Sequence, residues 1–374
     1  MATTLREIAT RTGVSVSTVS RVLNGHSGVS ADVRERVIKI ATELDYTPNA
    51  AARTLVLKRS HLITVVIRTG DDREFEHPYY QVVLDGIKHQ ATKRGYDLYI
   101  LSHAGETYGE DSNYFVSRAR RHQVDGAVVM GVREKDIEEF VKLKIPVMTV
   151  DFEPTGKLEK QVGVVQSDNF TGAEMAVAHL HSLGRRRIAH IAGTLHTAPG
   201  MKRLAGYRNG LDTVGLPFRD EYVVEGDYTH KAGCAAMRKL LALPEPPDAV
   251  FAAGDMMALG AMRAVHDFGL RTPEDIAVVG YDDIHFAALS VPALTTIRQH
   301  KEKIGELACE ALIDLIEERT TTPPRLTLPV ELVVRESCGG GRQTSAEPLA
   351  FESIATSQPA GLALTDQRES SSLG

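Results

Sequence analysis

The chain has 374 residues, a formal net charge of −6 and 43% hydrophobic residues. This length allows two or three domains with a sizeable core. The three cysteines, Cys234, Cys309 and Cys338, stand far apart, so their spacing indicates neither a metal site nor a disulfide framework. The first residues are charged at Arg6 and Glu7, and no apolar run reaches membrane-spanning length. We therefore expect a cytoplasmic protein without a leader peptide, a membrane partner, a metal or a cofactor.

Charge is divided unevenly along the chain. Residues 1–60 hold nine Lys and Arg against five Asp and Glu, a formal charge of +4, whereas the remainder holds 34 against 44. A basic first segment on an acidic body favours contact with a polyanion such as DNA at one end only.

The first 44 residues have the pattern of a small helical domain. Thr4 followed by Glu7 has the form of a capping box for a first helix, and Gly13 ends that helix because glycine adopts positive φ without strain. Ser15 is placed to cap a second helix. The buried side of this second helix consists of Val19, Val22 and Leu23. Two short helices around a tight turn predict a helix-turn-helix, whose second helix lies in the DNA major groove.

The outward side of the second helix has a composition of its own. Its residues are Val16, Ser17, Thr18, Ser20 and Arg21. Small hydroxyl side chains with one arginine suit contact with phosphates and base edges. A third helix is predicted over 31–44 after a cap at Ser30, with inward-facing Val33, Val37, Ile40, Ala41 and Leu44. An alternative at this point is a helical hairpin that packs on a larger domain.

Two further segments differ from their surroundings in composition. A short apolar segment at 50–57 follows Pro48 and is too short to form a stable helix alone in water. We expect a hinge whose helix forms on a partner. Residues 339–374 are rich in Gly, Ser and Pro with little periodicity, which predicts a disordered tail.

From residue 62 onward, short apolar runs alternate with helical segments. The predicted strands are 62–67, 97–101, 125–130, 146–150, 163–165, 187–192, 249–253, 275–281 and one near 327–334. The predicted helices are 80–94, 111–121, 134–143, 171–183, 202–213, 231–241, 257–268 and 301–319. This alternation is typical of parallel sheets covered by helices on both faces. We expect an α/β body of two doubly wound parallel-sheet lobes, with ligands bound at the carboxyl ends of the strands.

Six motifs follow one another along the chain, namely GVSVSTVSRVLNG at 13–25, RLAGY at 203–207, EGDY at 225–228, GDMMALGAMRA at 254–264, GYDD at 280–283 and PALTTIRQ at 292–299. Their combination and order resemble the LacI/GalR family of bacterial transcription regulators. The resemblance covers residues 3–338. It implies a repressor that binds a palindromic operator as a homodimer and is controlled by a small-molecule effector in the cleft between the lobes. Whether the effector promotes or relieves DNA binding stays open, since it depends on which lobe arrangement the ligand favours.

The resemblance divides the chain into four parts. They are a small all-α helix-turn-helix DNA-binding domain at 1–46, a hinge with a short helix at 47–60, an effector-binding and dimerisation domain at 61–338, and the tail at 339–374. The effector-binding domain is expected to be similar to periplasmic binding proteins. Its first lobe is expected at about 61–166 and 296–325, and its second at about 167–295 and 326–338.

The resemblance also implies which residues contact DNA. Val16, Ser17 and Arg21 approach base edges in the major groove, and Arg21 is suited by residue type to guanine. The residues implied to contact the DNA backbone are Ser15, Thr18, Ser20 and Asn24. In the hinge, Leu55 with Ala52 beside it is implied to wedge into the minor groove and kink the duplex.

Eight residues are implied to line the effector cleft. They are Tyr79, Tyr80, Asp151, Asp168, Arg203, Tyr228, Asp282 and Gln299. A guanidinium and carboxylates between aromatic rings suit a neutral polyhydroxylated ligand, so a sugar is the first expectation and a nucleobase or nucleoside the second. In an alternative, Arg203 and Asp282 form a salt bridge between the lobes, and one of Tyr79 and Tyr80 belongs to the core. Asp255 is expected to begin a helix rather than to contact ligand.

Two other classes of protein share this kind of body. An enzyme is disfavoured because the sequence has no P-loop, no GxGxxG after the first strand, no GxSxG and no metal-spaced His/Cys cluster, so no catalytic residue is predicted. A sugar-binding protein without a role at DNA is disfavoured by the helix-turn-helix.

Overall fold

The computed structural model describes residues 4–23, 27–46, 59–68, 75–102, 114–131 and 133–340. Asn24, residues 47–58 of the predicted hinge with Ala52 and Leu55, and the tail beyond residue 340 lie outside these ranges. Within the described ranges, no helix is both long enough and apolar enough to cross a membrane.

Three helices form the N-terminal domain. They are α1 (Leu5–Thr12), α2 (Val16–Leu23) and α3 (Ala31–Glu43). The Thr4 hydroxyl accepts a hydrogen bond from the Glu7 amide at 3.4 Å, and Gly13 ends α1 with a φ of 70°. The Ser15 hydroxyl accepts from the Thr18 amide at 3.1 Å, so the turn between α1 and α2 is capped at both sides as the sequence predicts.

The core of this domain consists of small aliphatic side chains, namely three valines, two alanines and one isoleucine. Ile8, Val19 and Val37 are fully buried at the meeting point of the three helices. Each such side chain contributes about 1.5–3 kcal/mol of transfer free energy. The predicted cap at Ser30 is wrong in one respect, because its side chain makes no capping hydrogen bond although α3 begins directly after it.

Two six-stranded sheets form the body. The strands are β1 (Leu62–Ile67), β2 (Asp97–Ser102), β3 (Gly126–Met130), β4 (Val147–Val150), β5 (Gly163–Ser167), β6 (Ile188–Ala192), β7 (Val223–Glu225), β8 (Ala249–Ala252), β9 (Ala277–Asp282), β10 (Thr295–Arg298), β11 (Arg325–Leu328) and β12 (Glu331–Val333). The first sheet has the order β11-β5-β4-β3-β1-β2 and the second β12-β10-β9-β8-β6-β7. All pairs are parallel except β10 with β12, so the predicted doubly wound lobes are confirmed.

Helices cover both faces of each sheet. They are α4 (Pro78–Lys93), α5 (Tyr114–Arg121), α6 (Glu134–Lys142), α7 (Asn169–Ser182), α8 (Ala198–Thr213), α9 (His230–Leu241), α10 (Asp255–Asp267), α11 (His285–Leu289) and α12 (Lys301–Ile316). Helices α4 and α12 pack closely in the first lobe, where a Cβ on Gly86 would lie 2.1 Å from the Glu302 carbonyl oxygen. Glycine at this crossing lets the two helix backbones touch.

The chain crosses between the lobes three times, and two crossings differ from the predicted boundaries. Residues from 296 were expected in the first lobe, but β10 pairs with β9 in the second. Residues from 326 were expected in the second lobe, but β11 pairs with β5 in the first. The single strand predicted near 327–334 is therefore two strands in different sheets. They are separated at Pro329, which has no amide hydrogen for a ladder.

His190 in β6 lies at the centre of the second-lobe core. Its ring stacks between Tyr207, at 4.9 Å between ring centroids, and Phe251, at 4.8 Å. Its Nδ1 lies 2.9 Å from the Phe251 carbonyl oxygen. Burial lowers the pKa of His190 from its ordinary value of 6.5 to about 4, so the ring is neutral at pH 7.

This depressed pKa predicts a pH-dependent stability. The unfolded chain protonates His190 at a higher pH than the folded chain, so the free energy of unfolding should fall by roughly 3 kcal/mol as the pH drops from 6.5 to 4. His190→Phe keeps the ring stack and should flatten this dependence in urea titrations at several pH values. His230→Phe, at an exposed position, is the control. Equal slopes for wild type and His190→Phe would contradict the prediction.

Candidate functional site

Most of the predicted cleft residues lie at the carboxyl ends of the parallel strands. Asp151 follows β4, Asp168 follows β5, Asp282 ends β9 and Gln299 follows β10. The two lobes meet at these edges, since Lys202 near the start of α8 in the second lobe donates at 2.9 Å to Glu153, which follows β4 in the first. The structure therefore brings together residues that are far apart in sequence, at the position where ligands bind in such folds.

Tyr79 and Asp151 form a pair in the first lobe. The Tyr79 hydroxyl donates a hydrogen bond to the Asp151 carboxylate, while the Tyr79 ring is 8% exposed and belongs to the core. Burial, followed by the Asp151 charge, raises the pKa of Tyr79, and burial raises the pKa of Asp151. Tyr80 is half-buried and lies edge-on to Tyr79 at 5.5 Å. The Tyr79 ring therefore packs in the core, while its hydroxyl group lies at the cleft.

Arg203 of α8 is buried in the second lobe. Its guanidinium lies over the Tyr281 ring, with Cζ 3.7 Å from the centroid. It donates to Asn169 Oδ1 at 2.8 Å and to the Ala253 carbonyl oxygen at 2.5 Å. Its Nη1 is 3.8 Å from Asp282 Oδ1. Both residues belong to the second lobe, so the alternative of a salt bridge between the lobes is wrong for this pair.

Asp282 contacts the segment in which the chain passes from the second lobe back to the first. Gln299 donates to its carboxylate at 2.6 Å, and the Lys301 ammonium donates to its carbonyl oxygen and to that of Asp283. Lys301 is the first residue of α12, which packs in the first lobe. Burial lowers the pKa of Lys301.

Three cleft residues that are not glycine have a positive φ. The angle is 55° at Asp151, 68° at Tyr228 and 119° at Asp282. Such backbone conformations cost of order 1–3 kcal/mol and are concentrated at functional sites. The Tyr228 ring lies close against the backbone, where a Cβ on Gly193 would approach its hydroxyl oxygen to 2.1 Å. Tyr228 is held as a wall of the cleft by contacts that only glycine allows.

Two carboxylates of this region have structural partners. Asp168 caps α7 and accepts from the Thr171 amide at 3.1 Å. Asp255 begins α10, as the sequence predicts, and is fully buried. It accepts from the Thr296 hydroxyl at 2.5 Å and from the Ile284 amide at 2.8 Å, and burial raises its pKa strongly.

A group of polar side chains bridges the lobes beside the cleft. Lys202 of α8 donates to Glu153 at 2.9 Å and to Gln166 at 3.0 Å, both in the first lobe. Gln166 in turn donates to Glu153 at 2.5 Å. The hydrogen bond from Lys202 lowers the pKa of Glu153. These contacts connect the two lobes.

Two open surface cavities of about 610 and 490 Å³ lie elsewhere on the second lobe. Neither is lined by a residue predicted for the cleft, and their linings contain no group of converging buried polar side chains. The polar groups that could orient a ligand converge in the cleft instead.

Sequence reasoning missed three residues of the site. Asn169 holds the Arg203 side chain, Lys301 binds the end of β9, and Lys202 bridges the lobes. Each is adjacent or close in sequence to a predicted residue, since Asn169 follows Asp168 and Lys202 precedes Arg203. That proximity was the available signal, but their partners lie too far along the chain to be inferred from spacing.

Val16, Ser17 and Arg21 on the outward face of α2 are exposed, as the sequence predicts. Val16 is 41% exposed, and Ser17 and Arg21 are exposed. In the described part of the chain, Arg21 has no carboxylate partner. The Ser15 hydroxyl lies 2.7 Å from that of Ser17 and 2.8 Å from that of Thr18, so this side of α2 presents a continuous row of hydroxyl groups.

Comparison with known protein families and structures agrees with this architecture. Residues 4–49 match the model of bacterial regulatory proteins of the lacI family, and residues 177–338 match the periplasmic binding protein-like domain. The HTH-type transcriptional regulator CelR of Thermobifida fusca is 37% identical over 335 residues, which cover 89% of this chain and 98% of the relative.

Two solved structures are similar to this chain over nearly the same length. The transcriptional regulator CelR–cellobiose complex has a TM-score of 0.69 at 35% identity, and the Lac repressor dimer bound to operator and the anti-inducer ONPF has 0.78 at 30%. Each comparison covers 90% of this chain and 99% of the other. The chain belongs to the lacI family of bacterial regulatory proteins. It is a DNA-binding transcriptional regulator and not an enzyme.

The bridge at Lys202 predicts how the two lobes respond to its removal. Lys202→Met removes a partly exposed ion pair worth about 0.2–1 kcal/mol, so the population of separated lobes should rise roughly 1.4- to 5-fold. Dipolar spectroscopy between spin labels at positions 88 and 239 measures these populations.

Two further variants control this experiment. Lys231→Met changes an exposed lysine of the second lobe and should leave the distance distribution unchanged. The charge swap Lys202→Glu with Glu153→Lys should restore the wild-type distribution. A Lys202→Met distribution identical to wild type would show that the bridge does not hold the lobes.

Proposed function

We propose that the protein represses transcription in the cytoplasm by binding a palindromic operator as a homodimer, and that a sugar in the interlobe cleft controls this binding. The observation that carries the effector part is the convergence of Asp151, Arg203 and Asp282 with aromatic side chains at the meeting edges of the two lobes.

The DNA part rests on α2. Its exposed hydroxyl row suits phosphate oxygens, and the Arg21 guanidinium suits the two acceptors of guanine. The assignments of Val16 and Ser17 to base edges, and of Ser15, Thr18 and Ser20 to the backbone, follow the same face. Asn24 and the minor-groove pair Ala52 and Leu55 remain predictions from the family resemblance, because they lie outside the described residues.

The chemistry of the cleft favours a sugar over a nucleobase. A sugar presents many hydroxyl groups, each able to donate to a carboxylate and accept from a guanidinium or an amide. Asp151, Asp282 and Gln299 provide acceptors and donors of this kind, Tyr79 provides its hydroxyl group, and Tyr228 provides a ring face. The CelR relative was solved with cellobiose, which supports the sugar class for this related chain.

The bound sugar would act through the arrangement of the lobes. Its ligands in the cleft come from both lobes, so it binds one arrangement more tightly than the other and shifts the equilibrium between them. The difference between the sugar's affinities for the two arrangements sets the upper limit of its effect on operator binding.

Arg21→Ala tests the DNA part. A bidentate contact with guanine gives about 1–3 kcal/mol of discrimination, so the variant should lose roughly 5- to 150-fold of its preference for the operator. Affinity for mixed-sequence DNA should change far less. An operator selected from random duplexes by the wild-type protein provides the specific DNA, and fluorescence anisotropy gives both affinities. Equal weakening on both DNAs would assign Arg21 to phosphate contact.

Calorimetric titration with cellobiose, ribose and adenine tests the effector part. We expect a sugar to bind and to raise the melting temperature, because it stabilises only the folded state. Asp282→Asn should weaken that binding roughly 10- to 100-fold, because it removes a charged hydrogen-bond acceptor. Asp212→Asn, exposed on α8, is the control. Binding of adenine with no sugar response would replace the sugar by a nucleobase.

A further inference from the structure

The N-terminal edge of the first-lobe sheet is opposite the cleft and receives the chain from the DNA-binding domain. Asp125, directly before β3, holds the incoming segment through three hydrogen bonds. Its carboxylate accepts from the Ser60 amide at 2.8 Å, the Ser60 hydroxyl at 3.0 Å and the His61 amide at 2.8 Å. The segment that leads to the DNA-binding domain is therefore fixed to this edge.

Exposed cations flank this anchor. Arg120 and Arg121 end α5 only a few residues before Asp125, and both are exposed. Lys144 is exposed and lies in the turn before β4, which is the sheet neighbour of β3. We call these three side chains the basic edge. Within the described residues, none of them has a carboxylate partner at ion-pair distance.

The charge of this edge contrasts with the rest of the body. The chain after residue 60 carries ten more acidic than basic residues, yet 114–124 contains three arginines and no Asp or Glu. On the other face of the sheet, Arg94 directly after α4 is paired with Asp314 and Glu317 near the end of α12. Cations that are left unpaired on one face of an acidic body indicate an anionic partner from outside it.

We propose that the basic edge is a second DNA-contact surface, which binds backbone phosphates beside the operator-reading helix. The connecting segment 47–58 has no Asp or Glu and contains Arg53 and Lys58, so it offers these cations no partner of its own. DNA is the polyanion that the same chain already binds at this end. Contacts of this kind carry no sequence preference and add affinity to operator and non-operator DNA alike.

The proposed contact depends on the protein being a DNA-binding regulator and does not depend on the effector. A test therefore needs only the full-length protein and DNA. Arg120→Gln with Arg121→Gln removes two charges from the basic edge. Lys231→Gln with Lys239→Gln removes two exposed charges from α9 of the second lobe and is the matched control. Lys144→Gln is a separate single variant.

The measurement is affinity against salt concentration, on mixed-sequence duplex and on a selected operator. Removal of one phosphate contact should make the slope of log affinity against log salt shallower by about 0.9. The arginine double variant loses two such contacts, so between 50 and 200 mM salt its decrease in affinity should be about 12-fold smaller than that of wild type for each protomer that contacts DNA, on both DNAs. Lys144→Gln should shift the slope by about half as much, and the control should match wild type.

Two results would overturn the proposal. One is a wild-type slope in both the arginine double variant and Lys144→Gln. The other is weaker operator binding with an unchanged slope, which would mean that the arginines position the connecting segment and do not contact phosphate. If no sugar binds, the proposed effector site is contradicted, but the proposed DNA contact of the basic edge is not.

Discussion

The structure depends on the three crossings of the chain between the lobes. Two of them are the same residues that build the cleft, since β5 leads through Asp168 and Asn169 into α7, and β10 leads through Gln299 into α12 at Lys301. A change in the angle between the lobes must be absorbed at these positions. Under the proposed function, ligand contact and lobe movement therefore involve one set of residues, and a bound molecule acts directly on these crossings.

The electrostatics of the cleft follow from burial. Arg203 is removed from water, and the Ala253 carbonyl, Asn169, the Tyr281 ring and the nearby Asp282 offset that cost. A buried charge with so many fixed partners is rigid, so its remaining donors point in a set direction. The positive φ at Asp151 and Asp282 places two carboxylates beside it at a cost in backbone energy. The arrangement favours orientation of a ligand over stability of the fold.

Much of the fold was predictable because its signals are local. The capping pair Thr4 and Glu7, the glycine at 13 and the valine spacing define the helix-turn-helix within about twenty residues. The alternation of apolar runs with helical segments likewise defines two doubly wound lobes. The short strands β7 and β10 were missed, and the lobe boundaries near 296 and 326 were wrong. Pairing between residues far apart in sequence decides which sheet a four-residue strand joins, as it does for β10 with β9 and for β11 with β5.

The cleft shows the same division between local and distant information. Asp255 was predicted as a helix start from its place after a strand, and it is one. Lys202 was not predicted, because its partner Glu153 is 49 residues away and lies in the other lobe. Asp168, predicted for the cleft, has its carboxylate engaged as a helix cap. Motifs identify which segments meet, whereas the contact that each side chain makes depends on a neighbour supplied by another segment.

The first-lobe sheet connects the cleft with the segment that leads to the DNA-binding domain. Strands β1 and β3 run from the edge where Asp125 holds Ser60 and His61 to the edge that faces the second lobe. Their buried, parallel pairing makes them a stiff connection, only five or six residues long, between the two edges. A ligand that shifts the lobes therefore changes the orientation at which the first lobe presents the connecting segment, without distortion of the sheet. In a dimer, two such orientations set the spacing of the two reading helices, and that spacing must match the half-sites of an operator.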